Sequence, residues 1–427
     1  MKILSKSFIK NDKFHILILL QIIFFNYFFY YFEIHNINIK NISYLVSIYV
    51  IFSFFNYKKK FKYFVLSTLI FLLSHTFFVS GFFLKNTLSI FLFVSILCLL
   101  YQNFHFFKKN IYIINGIFFH LSIITLLSLI GLIFLKEREL FLSIGYLTNF
   151  NCGGLRINDF HFGFSENSHI GIVLPHLFYS VLKLRYSNFH LNFCKIFYLL
   201  SIVLFLSLTT IVSNVILIFL IIIFERNLFI RNKHFFSVLI VFLIYPMIMN
   251  NGCFNKLNDF GYKDNIYSEN NFIENSKKPQ NNSKFVNVST FVYLNHIDLL
   301  NVALEKKPFG YGFNNYESLW QENYEFLIKK YKIAYGDFVK LNFNDGASNL
   351  IKILGEFGIF TLFFMLVYLY FLISPKFDKS LKILFSSILL VQLIRGAGYF
   401  NFNFIIYSSF LYMLVFDSFF KFCLPKD

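Results

Sequence analysis

Charge is scarce in this chain: Asp, Glu, Lys and Arg make up 14% of its 427 residues, against about 25% in soluble domains, while 57% are hydrophobic. That balance excludes an ordinary soluble enzyme. Trp occurs once and Pro six times, whereas Phe occurs 66 times, and Ile, Asn, Lys and Tyr are also abundant. This is the pattern of an AT-rich genome, so the Phe content reads as codon bias acting on lipid-facing positions, not as a cofactor box. Familiar ligand motifs are missing too. The five cysteines form no CxxC and no recognised Cys/His ligand spacing, and no GxxxxGK[ST] or GxSxG is present. No metal and no cofactor is therefore expected. The formal charge of +17 would suit nucleic acid only if the basic residues clustered on a folded polar surface; here they sit in short loops between apolar runs, which excludes that partner.

What the chain has instead is apolar runs. A bilayer-spanning helix needs about 20 mainly apolar residues, and candidates fall at about 14–32, 41–57, 61–84, 87–107 and 111–135. A first loop, 136–167, separates these from spans at about 168–184, 194–210, 212–225 and 234–251, where Thr209, Thr210, Ser213 and Asn214 are read as breaking one long apolar run in two. A polar loop, 252–348, precedes the last three spans at about 349–373, 380–394 and 399–420. The expected architecture is thus all-α: a five-helix region (1–135), a loop (136–167), central helices (168–251), a large loop (252–348) and a three-helix region (349–427). Lys2, Lys6, Lys10 and Lys13 precede the first span, but no small-residue cleavage site follows Tyr30, Tyr31 and Phe32, so that segment is read as a retained signal anchor.

The positive-inside rule orients this scheme. With the N-terminus inside, 21 basic and five acidic side chains face the cytoplasm, and 18 basic and 17 acidic ones face outward. Twelve spans, cytoplasmic termini and outer placement of both large loops follow. Cys152 and Cys253 then fall on the oxidising side, where they could pair.

Chemistry-bearing residues concentrate on that outer side. Arg395 sits in LIRGAGYF between two apolar helices, where a charge is costly unless partnered or hydrated. Arg156 and Arg138 lie in the first loop. Guanidinium groups stay charged and bind phosphates bidentately, which suits a lipid pyrophosphate; the alternative is an interfacial anchor that snorkels to headgroups. In LRINDFHFGFSENSHIGIVLPH, Glu166 and His169 are three apart and would share a helix face, one as general base and the other orienting it. Helix capping by Ser165 and a satisfied histidine would explain the same residues. Asn167 lies between them. In the second loop, EKKPFGYGFNNYE offers Gly310 and Gly312 for tight turns. NDGASNLIKILGEFGIF carries Asp345 and Asn349 at the mouth of a span and Glu356 about two turns inside, flanked by Gly355 and Gly358, which could equally mark close helix packing.

In this order, Arg156 ahead of FSENSH, PFGYG, DGASNLIKILGEFGIF and RGAGYF resemble the O-antigen polymerase (Wzy) and O-antigen ligase superfamily of bacterial lipopolysaccharide and capsule assembly. The resemblance implies a GT-C-like inner-membrane glycosyltransferase that needs no metal. It would act at the periplasmic face on glycan linked to undecaprenyl pyrophosphate, among membrane lipid, with a chain-length regulator and a flippase as candidate partners. Arginines matching Arg156 and Arg395 would hold the pyrophosphate. Two departures stand out. Ligases carry a His beside Asn at the end of the large loop, where this chain reads NDGASN with His296 well upstream; this favours polymerase. The RX10G spacing of some polymerases is not reproduced, since position 167 is Asn. A ligase-type transferase and a lipid-linked glycan transporter remain the alternatives, although a transporter should have shorter outer loops.

Overall fold

The computed structural model describes residues 16–20, 33–34, 37–38, 57–81, 84–135, 167–204, 208–249, 288–331, 342–396, 398–399 and 404–421. The protein is mostly helical. Among the described residues the strands are one antiparallel two-residue pair, β1 (Glu33–Ile34) and β2 (Ile37–Asn38). The helices are α1 (Lys59–Ser80), α2 (Leu84–Gln102), α3 (Phe104–Leu135), α4 (Asn167–Lys183), α5 (Asn188–Leu204), α6 (Leu208–Phe224), α7 (Arg226–Arg231), α8 (Lys233–Met249), α9 (Val288–Lys306), α10 (Tyr316–Tyr331), α11 (Asn349–Phe357), α12 (Thr361–Ile373), α13 (Lys379–Arg395) and α14 (Phe404–Phe420). A 3-10 turn, Gly358–Phe360, joins α11 to α12.

Among the described residues, three segments are long and apolar enough to cross a membrane: Lys59–Ser80, Leu84–Gln102 and Asn349–Ile373. Shorter apolar helices follow the same pattern at Gly171–Lys183, Thr209–Phe224, Lys233–Ile244 and Phe404–Phe420. Outward faces carry the same message. On α12, Leu362, Phe363, Leu366, Leu369 and Ile373 are exposed, and on α6 so are Val215, Phe219, Ile222 and Ile223. Apolar helix faces left open to this extent suit hydrocarbon, where helices satisfy their own backbone groups.

Every expected span from 61 onward overlaps a helix, and the run 194–224 is indeed two helices, α5 and α6. The polar residues read as breaking that run do something else. Thr209, Thr210, Ser213 and Asn214 lie inside α6, where Ser213 donates to the Gly171 carbonyl of α4 at 2.6 Å and the Tyr198 hydroxyl of α5 bonds the Asn214 side chain. A Cβ on Gly171 would lie 2.8 Å from the Thr210 Cα, so α4 and α6 meet backbone to backbone. These residues are packing points between helices.

Helix α4 is central, packed against α3, α6 and α13. Its residues 171–182 are all buried. A polar knot crosses this core: Asn115 donates to Ser180 at 3.1 Å and accepts from the Tyr407 hydroxyl at 2.9 Å. At one end of the bundle Glu225 gathers Lys183 (2.9 Å), Tyr179 (3.1 Å) and Ser380, while Lys60 donates to the Phe420 carbonyl at 3.0 Å. The opposite ends of α1, α2, α11 and α13 carry the candidate site.

The 252–348 stretch, expected only as polar loop, contains helices α9 and α10. Leu299, Leu300, Ala303, Tyr311, Tyr316, Leu319, Trp320 and Leu327 bury against Ile351 in a small core separate from the main one. From α9, Leu299, Leu300 and Ala303 build it, with Tyr293, Ile297 and Leu304 packed against them at helical spacing, diluted below the hydropathy of a span by Asn295, His296, Asp298 and Asn301.

Candidate functional site

Three of the segments singled out in the sequence meet at this end. The loop after α9 runs through Pro308–Asn315 and lies across the α11 terminus. Tyr311 N–H donates to the carbonyls of Gly355 (3.0 Å) and Glu356 (3.1 Å), Gly312 N–H to Glu356 (2.9 Å), and Ile359 N–H returns a bond to Pro308 (3.0 Å). Such contact requires glycine. Gly310 has φ +85° and a Cβ there would stand 2.4 Å from the Glu356 carbonyl oxygen; one on Gly358 (φ +51°) would stand 2.0 Å from that of Pro308. Loop and helix therefore touch through bare backbone, which Cβ atoms would hold apart. On its other side the loop is tied to the membrane helices. Phe313 N–H donates to Thr76 Oγ1 (3.1 Å), Asn314 Nδ2 to Ser89 (2.9 Å), and His75 Nε2 lies 2.8 Å from the Phe309 carbonyl.

Glu356 is the hub. Its side chain is fully buried, and it accepts from Asn314 N–H (2.6 Å), Tyr316 N–H (3.2 Å) and the Tyr399 hydroxyl (2.6 Å). Lys352, one turn earlier on α11, stands 3.9 Å away and donates to the Asn344 carbonyl (2.9 Å) and to Asp345 (3.1 Å). Its ammonium also sits over the Tyr399 ring at 5.1 Å. One carboxylate thus joins the large loop, α11 and the RGAGYF turn. Burying it is tolerable because donors surround it. Burial raises the Tyr316 phenol above its ordinary value, with the nearby carboxylate adding to the effect, so it remains a hydroxyl next to His296 Nδ1, 3.0 Å away.

Asp345 and Asn349 bracket the start of α11. Ser348 caps it, accepting from Ile351 N–H at 3.1 Å. Asn349 is wholly enclosed and its amide nitrogen and oxygen have no hydrogen-bond partner among the described residues. It lies against Gly396, where a Cβ would come 2.3 Å from its Nδ2. Arg395, the last residue of α13, is therefore next to Asn349's contact point; it is half-buried, and no hydrogen bond or ion pair to its guanidinium occurs among the described residues.

Gly310, Gly312, Asp345, Asn349, Glu356 and the Arg395 turn are thus brought together. Arg138, Arg156, Glu166, Cys152 and Cys253 lie outside the described residues, as do the first two expected spans apart from a helical stretch at 16–20 and Tyr57. Asn167 and His169 stand in the first turn of α4, with their side chains outside the description. Sequence reasoning missed Asn314, Tyr316, Lys352 and Tyr399. Only Lys352, four residues before Glu356 on the same helix, left a readable signal. Comparison with known families, with curated proteins and with solved structures returns no match.

Proposed function

We propose that this chain is an inner-membrane polymerase that joins undecaprenyl-pyrophosphate-linked oligosaccharide repeat units at the periplasmic face. Twelve spans with both termini in the cytoplasm, and a GT-C-like arrangement, belong to this reading. The observation that carries it is the convergence of PFGYG, DGASNLIKILGE and RGAGY at one end of the bundle, with Arg395 at its edge. Each segment is degenerate alone, and a chance resemblance gives no reason for all three to share one buried carboxylate.

In the reaction, the hydroxyl of an acceptor sugar attacks the anomeric carbon of the donor glycan. The bond from that carbon to the pyrophosphate oxygen breaks, and inversion follows from single displacement. Arg395 and Arg156 stabilise the charge developing on the leaving group, while one of Glu166 and His169, oriented by the other, takes the hydroxyl proton. Glu356 has no free acceptor role in this scheme: its oxygens are occupied by the loop, the helix and Tyr399, so it is a positioning residue that fixes the turn bearing Arg395. Asn349, enclosed beside that turn with its amide unpaired among the described residues, supplies a polar contact for substrate or water.

Deleting the gene and separating surface glycan on gels tests the proposal. Loss of the ladder with a single repeat unit retained is the expected result. Loss of all attached glycan would mean ligation, and an unchanged ladder would remove the enzyme reading altogether.

A further inference from the structure

Away from that site, α3 and α5 place two imidazoles and a thiol in one cluster. His120 of α3 meets His190 and Cys194 of α5, and the three ligand atoms lie within 4.8 Å of one another. His190 and Cys194 are four apart, so both project from one face of α5. No Cys/His ligand spacing was recognised in the sequence and no metal was expected from it; the cluster emerges only when the fold brings His120, 70 residues from His190, against α5.

We propose that His120 Nε2, His190 Nε2 and Cys194 Sγ form a transition-metal site of the zinc class. The ligand atoms, all within 4.8 Å of one another, stand near the spacing such an ion needs without matching it. Cys194 Sγ is 3.8 Å from His120 Nε2, and the two Nε2 atoms face each other at 2.7 Å, in rings inclined by only 11°. At usual zinc bond lengths, tetrahedral ligands stand roughly 3.3 Å apart for two nitrogens and roughly 3.6 Å for nitrogen and sulfur. The nitrogen pair must therefore open by about 0.6 Å, estimated from those same bond lengths. His190, half-buried in the first turn of α5, has room to swing.

Tautomer control points the same way. His120 Nδ1 is 2.6 Å from the Gly116 carbonyl one turn back, so Nδ1 carries the proton and Nε2 presents its lone pair. A backbone carbonyl orienting a ligating histidine through its other nitrogen is the usual outer support of a metal site. Ser187 Oγ accepts from His190 N–H at 3.3 Å, fixing the start of α5, and the Tyr186 ring packs against both imidazoles at 5.6 and 4.6 Å. Without metal, His190 Nε2–H donates to His120 Nε2. On binding, His190 carries its proton on Nδ1 instead and the Cys194 thiol releases one proton to solvent. Two nitrogens and one thiolate suit zinc by ligand softness, with a fourth position left for water. The ion staples α3 to the start of α5, beside the short 184–187 connection that joins α4 to α5.

The test uses full-length protein in detergent with any polyhistidine tag removed. After equilibration with zinc and desalting, elemental analysis should find near one zinc per chain in the wild type and less than a tenth of that in His120→Gln and in Cys194→Ser. Cobalt loading of the wild type should give a near-ultraviolet thiolate-to-cobalt band with intense tetrahedral visible absorption. A wild type that retains no zinc at micromolar free metal, a Cys194→Ser variant that retains as much as the wild type, or cobalt binding without the thiolate band would each overturn the proposal. The cobalt spectrum decides the matter even if the variants fail to fold.

Discussion

Glu356→Ala removes the acceptor from three buried donors at once: the N–H groups of Asn314 and Tyr316 and the hydroxyl of Tyr399. A buried donor left unpaired costs about 1–3 kcal/mol, so with partial backbone relaxation the substitution should destabilise the fold by about 4 kcal/mol on that scale. At an unfolding entropy of about 2.1 cal/mol/K per residue, this lowers Tm by roughly 4–5 °C. Glu356→Gln keeps the shape and one acceptor oxygen, and should lose about half as much by the same reasoning. Tyr399→Phe removes a single charge-assisted bond, worth about 1.5–3 kcal/mol. Added to Glu356→Ala, that same change should be nearly silent, because its partner is already gone. Tm measured by intrinsic fluorescence in detergent for the two single variants and the double variant closes the cycle, with an expected coupling of about 1.5–3 kcal/mol. Effects that add to within about 0.5 kcal/mol would refute the claim that one carboxylate binds loop, helix and turn together.

The loop-to-helix contact makes Gly310→Ala more damaging than Glu356→Gln, since it combines a φ of +85° with a Cβ 2.4 Å from a carbonyl oxygen; a Tm closer to wild type than that of Glu356→Gln would count against the contact. At the other end of the bundle, Glu225→Ala leaves Lys183, Tyr179 and Ser380 without their shared acceptor. Partial exposure of the Lys183 pair moderates the loss to about 2–3 kcal/mol, read as a Tm fall of roughly 2–3 °C. Trp320 is the chain's single tryptophan and stacks on Tyr324 in the small loop core, with ring centroids 5.1 Å apart. Its emission should shift red at denaturant concentrations that leave far-UV helicity intact; coincident transitions would show that the loop core does not pack independently.

Periodicity and hydropathy made the membrane helices readable, because a span is written in one continuous apolar run. The helices Asn188–Leu204 and Leu208–Phe224 lie one to six residues from the expected spans at their ends, and the reason given for their division was wrong: Ser213 and Asn214 bond to α4 and α5 and do not interrupt a helix. Helices α9 and α10 escaped notice for the opposite reason. Their apolar face is shared with Asn, His and Asp, and their stability comes from packing on α11, which no local window contains. The site was half legible. Gly310, Gly312 and Glu356 stood out individually, and the reading of Gly355 and Gly358 as marks of close packing fits their contacts with Leu319, Tyr316 and Pro308. Their common partner, Tyr399, could not be found from spacing, because Glu356 reaches it 43 residues along the chain.

The most direct test of the polymerase reading is polymerisation by purified protein in lipid, with an undecaprenyl-pyrophosphate-linked repeat unit as sole substrate and no added metal. Wild type should convert the single unit into a ladder and release undecaprenyl pyrophosphate, and Arg395→Ala, with an unchanged Tm, should leave it as single units. A ladder from Arg395→Ala as long and as fast as that of the wild type would contradict the account.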